Sequence, residues 1–328
     1  MHGRREEQEV TARRRALIVG VDDYPSAPLA GCVNDAQTME QLLRCHEDGS
    51  PNFAVRLLTS SNATIDRSCL RESIRELLKQ SDADVALLYF AGHGIVTDFG
   101  GYLVTVDAAH YDEGVNLSEV LTMANESSAR EVVIILDACM SEALGQLPGS
   151  GSPHAQLREG VAVLTASRAD QVAMESGGRG VFTELVCGAL EGGGADVLGQ
   201  ITVASVYAYV EEALGPWDQR PLFKANVAKL ETLRTVAPSV DLAVLRELPG
   251  WFSSPSAEFS LDPTFEDTVP GHDPTKAALF KKLQRCRAAK LVEPVGEEHM
   301  YYAAINSGAC RLTPLGARYW RMAQEGRL

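Results

Sequence analysis

Two side chains in this sequence have the types needed for covalent catalysis. His93 sits between Gly92 and Gly94, and Cys139 lies two residues beyond Asp137. A thiol becomes a strong nucleophile when a nearby imidazole favours the thiolate, and the same imidazole can later protonate a leaving amine. The two residues are 46 positions apart, so the fold has to bring them together. Each follows an apolar run, Asp84 to Phe90 and Glu131 to Leu136, that reads as a buried strand. Parallel strands about 5 Å apart end on a common edge, which places both reactive groups in one crevice. By strand periodicity, Asp137 points to the same side as Cys139.

The elements that must hold this edge follow from the rest of the pattern. Apolar runs alternate with helical stretches, which implies an α/β domain with a mainly parallel six-stranded sheet and helices on both faces. Strands are expected near 15–22, 53–59, 84–91, 131–138, 160–166 and 221–228. Helices are expected near 32–46, 66–80, 116–128, 181–191 and 203–214, with a small hairpin around 100–107. The Gly/Ser/Pro stretch 145–154 reads as a flexible loop directly after the Cys139 strand. Residues 1–14 read as a tail, 15–237 as the α/β domain, and 238–274, where Pro, Ser and Gly accumulate, as an interdomain linker. Residues 275–328 read as a small α+β domain. It comprises a helix at 276–290, a two-stranded ribbon around Met300 to Leu312 turning at Asn306-Ser307-Gly308, and a helix at 314–324.

Composition narrows the class. Hydrophobic residues make up 45% and charged residues 23% of the 328, which fits a soluble globular protein. No run approaches the roughly 18 apolar residues that span a bilayer, and residues 1–15 offer no signal sequence, so no membrane association is expected. Seven scattered cysteines (32, 45, 69, 139, 187, 286 and 310) fit neither a disulfide framework nor a zinc site. A reducing cytoplasm suits them and keeps a catalytic thiol usable. The net charge of −14 is uneven: ten Lys/Arg against five Asp/Glu from Gly271 onward give +5, and the preceding residues give −19. A basic tail of that kind fits either a solvated face or contact with nucleic acid or an acidic partner.

The two motifs, Tyr89-Phe90-Ala91-Gly92-His93-Gly94 and Asp137-Ala138-Cys139-Met140-Ser141, resemble those of the caspase and metacaspase clan of cysteine peptidases. The resemblance covers roughly the first 235 residues. It includes Ala16 to Tyr24, Leu29 to Ala36, Thr165 to Glu175, Gly180-Val181-Phe182-Thr183 and Gln219 to Phe223. It implies a caspase-haemoglobinase-like fold, a His93/Cys139 dyad, and an oxyanion hole formed by the N–H groups of Gly94 and Cys139. It further implies an S1 pocket lined by Asp35 and Asp137, the matching aspartates of metacaspases. Leu29 stands where true caspases place the arginine that receives an aspartate side chain, so a basic P1 residue is the expected substrate. Ala91 and Ser141-Glu142 depart from the metacaspase pattern. Asp98, Asp107, Asp112 and Glu113 are the candidates for a Ca2+ site of the kind some metacaspases carry, but their spacing makes no ligand loop, and no cofactor is expected. Residues 275–328 resemble part of a winged-helix module, the expected contact for an activator or partner.

The reading is therefore a regulated caspase-like endopeptidase that cuts protein substrates after Arg or Lys. Self-processing, if it occurs in the loop after Cys139, falls at Arg158, the single Lys or Arg between Met140 and Glu159. Two rivals remain open. One is a nucleic-acid- or partner-binding winged-helix protein on a caspase-like scaffold, which salt-dependent DNA binding would reveal. The other is an Asp-specific protease, which paired Arg and Asp peptides would separate.

Overall fold

The computed structural model describes residues 13–79, 83–110, 112–138, 157–166, 175–176, 179–214 and 221–328. These form two compact units, one running to Ala195 and from Gln200 to Val236, the other combining Asp196–Gly199 with Ala237–Leu328.

In chain order the first unit contains β1 (Arg14–Gly20), α1 (Cys32–Arg44), β2 (Ala54–Thr59), α2 (Arg67–Lys79) and β3 (Val85–Ala91). There follow β4 (Gly94–Thr97), β5 (Gly100–Ala109), β6 (Asp112–Asn116), α3 (Leu117–Glu126), β7 (Glu131–Asp137) and β8 (Val161–Thr165). The unit closes with β9 (Glu175–Ser176), β10 (Arg179–Gly180), α4 (Val181–Gly188), β11 (Gln200–Ile201), α5 (Val203–Ala213), β12 (Leu222–Asn226) and β13 (Arg234–Thr235). Among the described residues, six strands make the main sheet in the order β12-β8-β7-β3-β1-β2. All neighbours are parallel except β12, which runs antiparallel to β8.

Every residue of β3 and of β7 is buried, which is why neither shows the polar alternation of a half-exposed strand. Their period-2 geometry instead divides the core in two. Leu17, Val19, Leu88, Phe90, Ile134 and Leu136 face α2 and α3. Ala16, Ile18, Leu87, Tyr89, Val133 and Ile135 face α1, α4 and α5. Helix α1 meets the sheet through Ala36, Met39 and Leu43, and α2 through Leu70, Ile74, Leu77 and Leu78, the spacing of one helical face. The approach of α1 is close: a Cβ on Gly20 would lie 2.3 Å from the carbonyl oxygen of Cys32, so glycine is required there.

Strand order decides where the crevice lies. The chain leaves β1 for β2 on one side, then returns past β1 to β3 and continues to β7 on the other. The carboxyl ends of β1 and β3 therefore flank the point where the winding reverses, the usual ligand crevice of such sheets. Residues 100–107, expected as a small hairpin, instead lie in the single strand β5, the centre of a three-stranded antiparallel sheet, β4-β5-β6, that follows His93 directly.

The second unit consists of α6 (Leu242–Trp251), β14 (Glu258–Ser260), a 3-10 turn at Pro263–Phe265, α7 (Pro274–Ala288), β15 (Val292–Val295), α8 (Met300–Ile305), β16 (Ala309–Leu312) and α9 (Pro314–Gln324). Its three strands pair antiparallel in the order β14-β16-β15. A run of edge-on aromatic contacts, Phe252 to Phe259 to Phe265 to Phe280, threads its core.

Several expectations for this unit are corrected here. Residues 238–274 are not a linker but folded structure, in which α6 buries Val244, Leu245 and Leu248. Pro263 and Pro274 are helix starters rather than breakers, each following an Asp cap (Asp262, Asp273) that accepts backbone N–H groups of the first turn. The ribbon is formed by Val292–Val295 and Ala309–Leu312, whereas Met300–Ile305 is helical because it buries Met300, Ala303 and Ala304 on the 3.6-residue period. Asn306-Ser307-Gly308 is the C-terminal turn of α8, with Gly308 N–H donating to the carbonyl of Ala303. The basic tail also changes meaning: Lys276, Lys281, Lys282 and Arg285 pair with Asp262, Asp267, Glu247 and Asp241, all from the segment read as linker. Among the described residues, no helix is long and apolar enough to cross a membrane.

Candidate active site

The edge is built from register. Ala91 at the end of β3 pairs with Asp137 at the end of β7, and His93 and Cys139 each come two residues after that pair. Cys139 itself lies outside the described residues. Backbone contact continues past the strands, with Gly92 N–H donating to the carbonyl of Asp137 at 3.3 Å.

His93 is held from several sides. Its backbone N–H donates to the Tyr24 hydroxyl at 3.0 Å, and that hydroxyl donates onward to the Val104 carbonyl at 3.2 Å. The Tyr24 and His93 rings lie 4.6 Å apart and tilted by 55°. Tyr24 is buried, and its phenol pKa is pushed well up by that burial, so the hydroxyl stays protonated. Gly92 makes the arrangement feasible, since a Cβ there would stand 2.5 Å from the Tyr24 oxygen and 2.9 Å from the Phe90 ring. The imidazole Nε2 lies 2.7 Å from the carbonyl oxygen of Ala27. A carbonyl only accepts, so Nε2 carries the hydrogen, and in the neutral ring the lone pair is on Nδ1. That tautomer leaves Nδ1 as the nitrogen able to take a proton from a thiol.

The loop supplying Tyr24 and Ala27 is anchored by Asp22. Its carboxylate accepts from the N–H groups of Cys32 and Val33, at 2.9 and 3.2 Å, and so caps α1 in place of Gly31, which has no side chain to do it. Asp22 N–H donates to Ser60 Oγ and its carbonyl accepts from Tyr24 and Leu29.

Gly94 opens β4 opposite Leu103. Val104 N–H donates to the His93 carbonyl at 3.0 Å, which makes Gly94–Leu103 a non-hydrogen-bonded pair and turns the Gly94 N–H away from β5. That N–H is thereby kept out of the ladder, as an oxyanion donor has to be.

Asp35 and Asp137 are both buried although they come from α1 and β7. Asp35 accepts the Gly180 N–H at 3.0 Å, and Asp137 accepts the Thr183 hydroxyl at 2.7 Å, so both carboxylates meet the turn into α4. The same two charges raise the pKa of Tyr89, and with Asp22 that of the Cys32 thiol, in each case behind burial as the larger cause. Asp35 and Asp137 therefore share one neighbourhood beside the reactive edge.

Other candidates fall elsewhere. Asp107 caps α2 by accepting the Arg67 N–H and the Thr105 hydroxyl, and Asp112 pairs with the Arg67 guanidinium. Among the described residues, no group of three or more His, Cys, Asp or Glu is arranged to hold a metal ion. The Arg158 guanidinium donates to the carbonyls of Ala124 and Ala129 at 3.2 and 2.7 Å, and its N–H donates to Asn125. It clasps the end of α3 rather than standing free. Sequence reasoning did not find Tyr24, Ala27 or Thr183. Tyr24 and Thr183 lie inside motifs that carried the family resemblance, which was the available signal.

Residues 13–231 match the family model described as a caspase domain. A crystal structure of a Geobacter sulfurreducens protein is similar over 69% of this chain and 98% of that one, at 16% identity and a TM-score of 0.50. Caspase-1 of Spodoptera frugiperda is similar over 68% of this chain and 90% of its own, at 14% identity and a TM-score of 0.49. No curated protein matches the chain.

Proposed function

The chain belongs to the caspase-domain family and is a cysteine peptidase, and from that premise we propose an endopeptidase that cleaves after Arg or Lys through a His93/Cys139 dyad. The observation that carries the specificity is the convergence of Asp35 and Asp137, two buried carboxylates on separate elements that act on the same side chains. Two buried like charges disfavour each other, and a guanidinium or ammonium between them is the electrostatic complement. An aspartate side chain in the same place would add a third negative charge.

In the proposed mechanism, a P1 cation held by Asp35 and Asp137 sets the scissile carbonyl over Cys139. His93 Nδ1 takes the thiol proton, the thiolate attacks the carbonyl carbon, and the N–H groups of Gly94 and Cys139 receive the developing oxyanion. The imidazolium then gives its proton to the leaving amine, and water attacks the thioester with His93 as base. The Nε2–H bond to Ala27 favours this role, because it fixes the ring's tautomer and aim. We assign the second unit to recognition of an activator or partner, in keeping with a regulated effector that acts on protein substrates.

Matched peptides differing only at P1 test the reading. Arg and Lys peptides should be cleaved by the wild type and not by Cys139→Ala, with the Asp peptide cleaved at least a hundredfold more slowly. A preference for the Asp peptide, or equal cleavage of all three, would overturn the assignment of the pocket.

A further inference from the structure

Beneath the carboxylate pair lies a hydrogen-bond chain that the proposed mechanism does not use. Thr183, in the first turn of α4, places its hydroxyl 2.7 Å from Asp137 Oδ2 and 2.6 Å from the hydroxyl of Tyr89 on β3. An ionised carboxylate only accepts, so the Thr183 hydrogen goes to Asp137 and the Thr183 oxygen accepts from Tyr89. The direction of both bonds is fixed by that single fact. Tyr89, Thr183 and Asp137 are 0, 1 and 5% exposed, so water is a poor substitute for either donor. Burial first, and then Asp137 and Asp35, raise the Tyr89 phenol well above its ordinary pKa, which keeps it a donor.

A carboxylate fed in this way has its negative form stabilised and one oxygen pinned. On the reading of Asp35 and Asp137 as the P1 pocket, we propose that Thr183, backed by Tyr89, is a specificity-determining positioning residue. It touches no substrate. It acts by keeping Asp137 ionised and by holding the carboxylate in the orientation that two parallel guanidinium N–H bonds require. Arginine is a planar fork that needs both oxygens in place, whereas the lysine ammonium is a point charge that tolerates a rotated carboxylate. Thr183 therefore favours Arg over Lys at P1, and the chain's ranking of the two is set from below the pocket.

The test uses the full-length protein and P1-Arg and P1-Lys peptides across pH. Thr183→Val keeps shape and removes the donor. It should lower kcat/KM for Arg by on the order of tenfold to a hundredfold, chiefly through KM, and lower the Arg/Lys ratio. With the donor gone, the acid limb of the Arg profile should move to higher pH. Thr183→Ser should restore all three quantities to within about threefold of wild type. Tyr89→Phe, which removes only the second donor, should move them the same way by a smaller factor and serves if Thr183→Val does not fold. A purely structural role would reduce active enzyme without altering the Arg/Lys ratio or the acid limb. Either variant showing that pattern overturns the proposal, as does failure of the serine to rescue. Asp137→Asn separates the two levels. If it cleaves the Arg peptide like wild type, the pocket reading fails and the positioning role with it. If it is inactive on Arg while Thr183→Val and Tyr89→Phe behave as wild type, only the positioning role falls.

Discussion

Replacing Tyr24 with Phe removes one oxygen atom and leaves the ring that rests 4.6 Å from the His93 imidazole. That oxygen is the acceptor of the His93 N–H and the donor to the Val104 carbonyl, at 3.0 and 3.2 Å, in a residue only 6% exposed. Two backbone groups thus lose their partner where water has little access, and each unmet buried group costs about 1–3 kcal/mol, less whatever relaxation recovers. A net loss of about 2 kcal/mol is expected, which for a domain of this size corresponds to a fall of roughly 4–8 °C in Tm. Catalysis should suffer separately. The same hydroxyl ties the start of β4 to β5, so both the imidazole and the Gly94 N–H lose a restraint worth about 1–1.5 kcal/mol, or roughly five- to tenfold in the population of aligned sites. The expected result is a kcat reduced by about that factor with KM and the Arg/Lys ratio little changed. Thermal melts and steady-state kinetics on wild type and variant measure both. A variant that melts within 1 °C of wild type and keeps kcat within twofold would show that the hydroxyl does not hold His93.

Cys139→Ala and His93→Ala should each abolish peptide hydrolysis while melting cooperatively, because a catalytic pair acts as a unit; residual turnover above a hundredth of wild type in either would require another nucleophile or base. Glu131 is buried at the start of β7, where burial pushes its carboxyl up to about 7 despite the Glu231 N–H, Arg14 and Lys229 nearby. Its folded pKa exceeds its unfolded one, so the folded state binds the extra proton and stability should fall as pH rises from about 4.5 to 7. Glu131→Gln should flatten that fall and raise stability at pH 8 by on the order of 1–2 kcal/mol, read from urea midpoints; an unchanged pH slope would contradict it. Arg158→Ala should lower stability by about 1–3 kcal/mol through loss of the clasp on α3, and an active wild-type preparation should resist cutting at Arg158 while folded. Intact-mass analysis showing rapid, quantitative fragments ending at Arg158 would mean that the clasp opens readily.

Much of the reactive edge could be read from residues. Strands of a parallel sheet are apolar throughout, so 84–91 and 131–138 declared themselves, and their last residues, Ala91 and Asp137, pair at one carboxyl edge. Asp35 and Asp137 were legible as a pair only through the family resemblance, since nothing in spacing brings α1 to β7. The contacts of Tyr24, Ala27 and Thr183 were illegible because each spans a long sequence separation, and the one at Ala27 is made by the backbone. The second unit was misread in a different way. Pro263 and Pro274 look like punctuation until the preceding aspartates are seen to cap helices, and the tail looks basic until Asp241, Glu247, Asp262 and Asp267 are counted with it.

The carbonyl of Ala27 has one more consequence. The group that aims the imidazole belongs to the main chain, so no side-chain replacement at position 27 deletes it, and an alanine scan of the loop would pass over it without a signal. Its placement depends on the path of the loop, which Asp22 sets from α1 and Ser60 supports from beyond β2. Genetic sensitivity is thereby displaced from the Ala27 carbonyl to the side chains that set the loop's path. Substitutions that erode activity without touching His93 or Cys139 should cluster at Asp22, and side-chain changes at 27 should leave the imidazole partner in place.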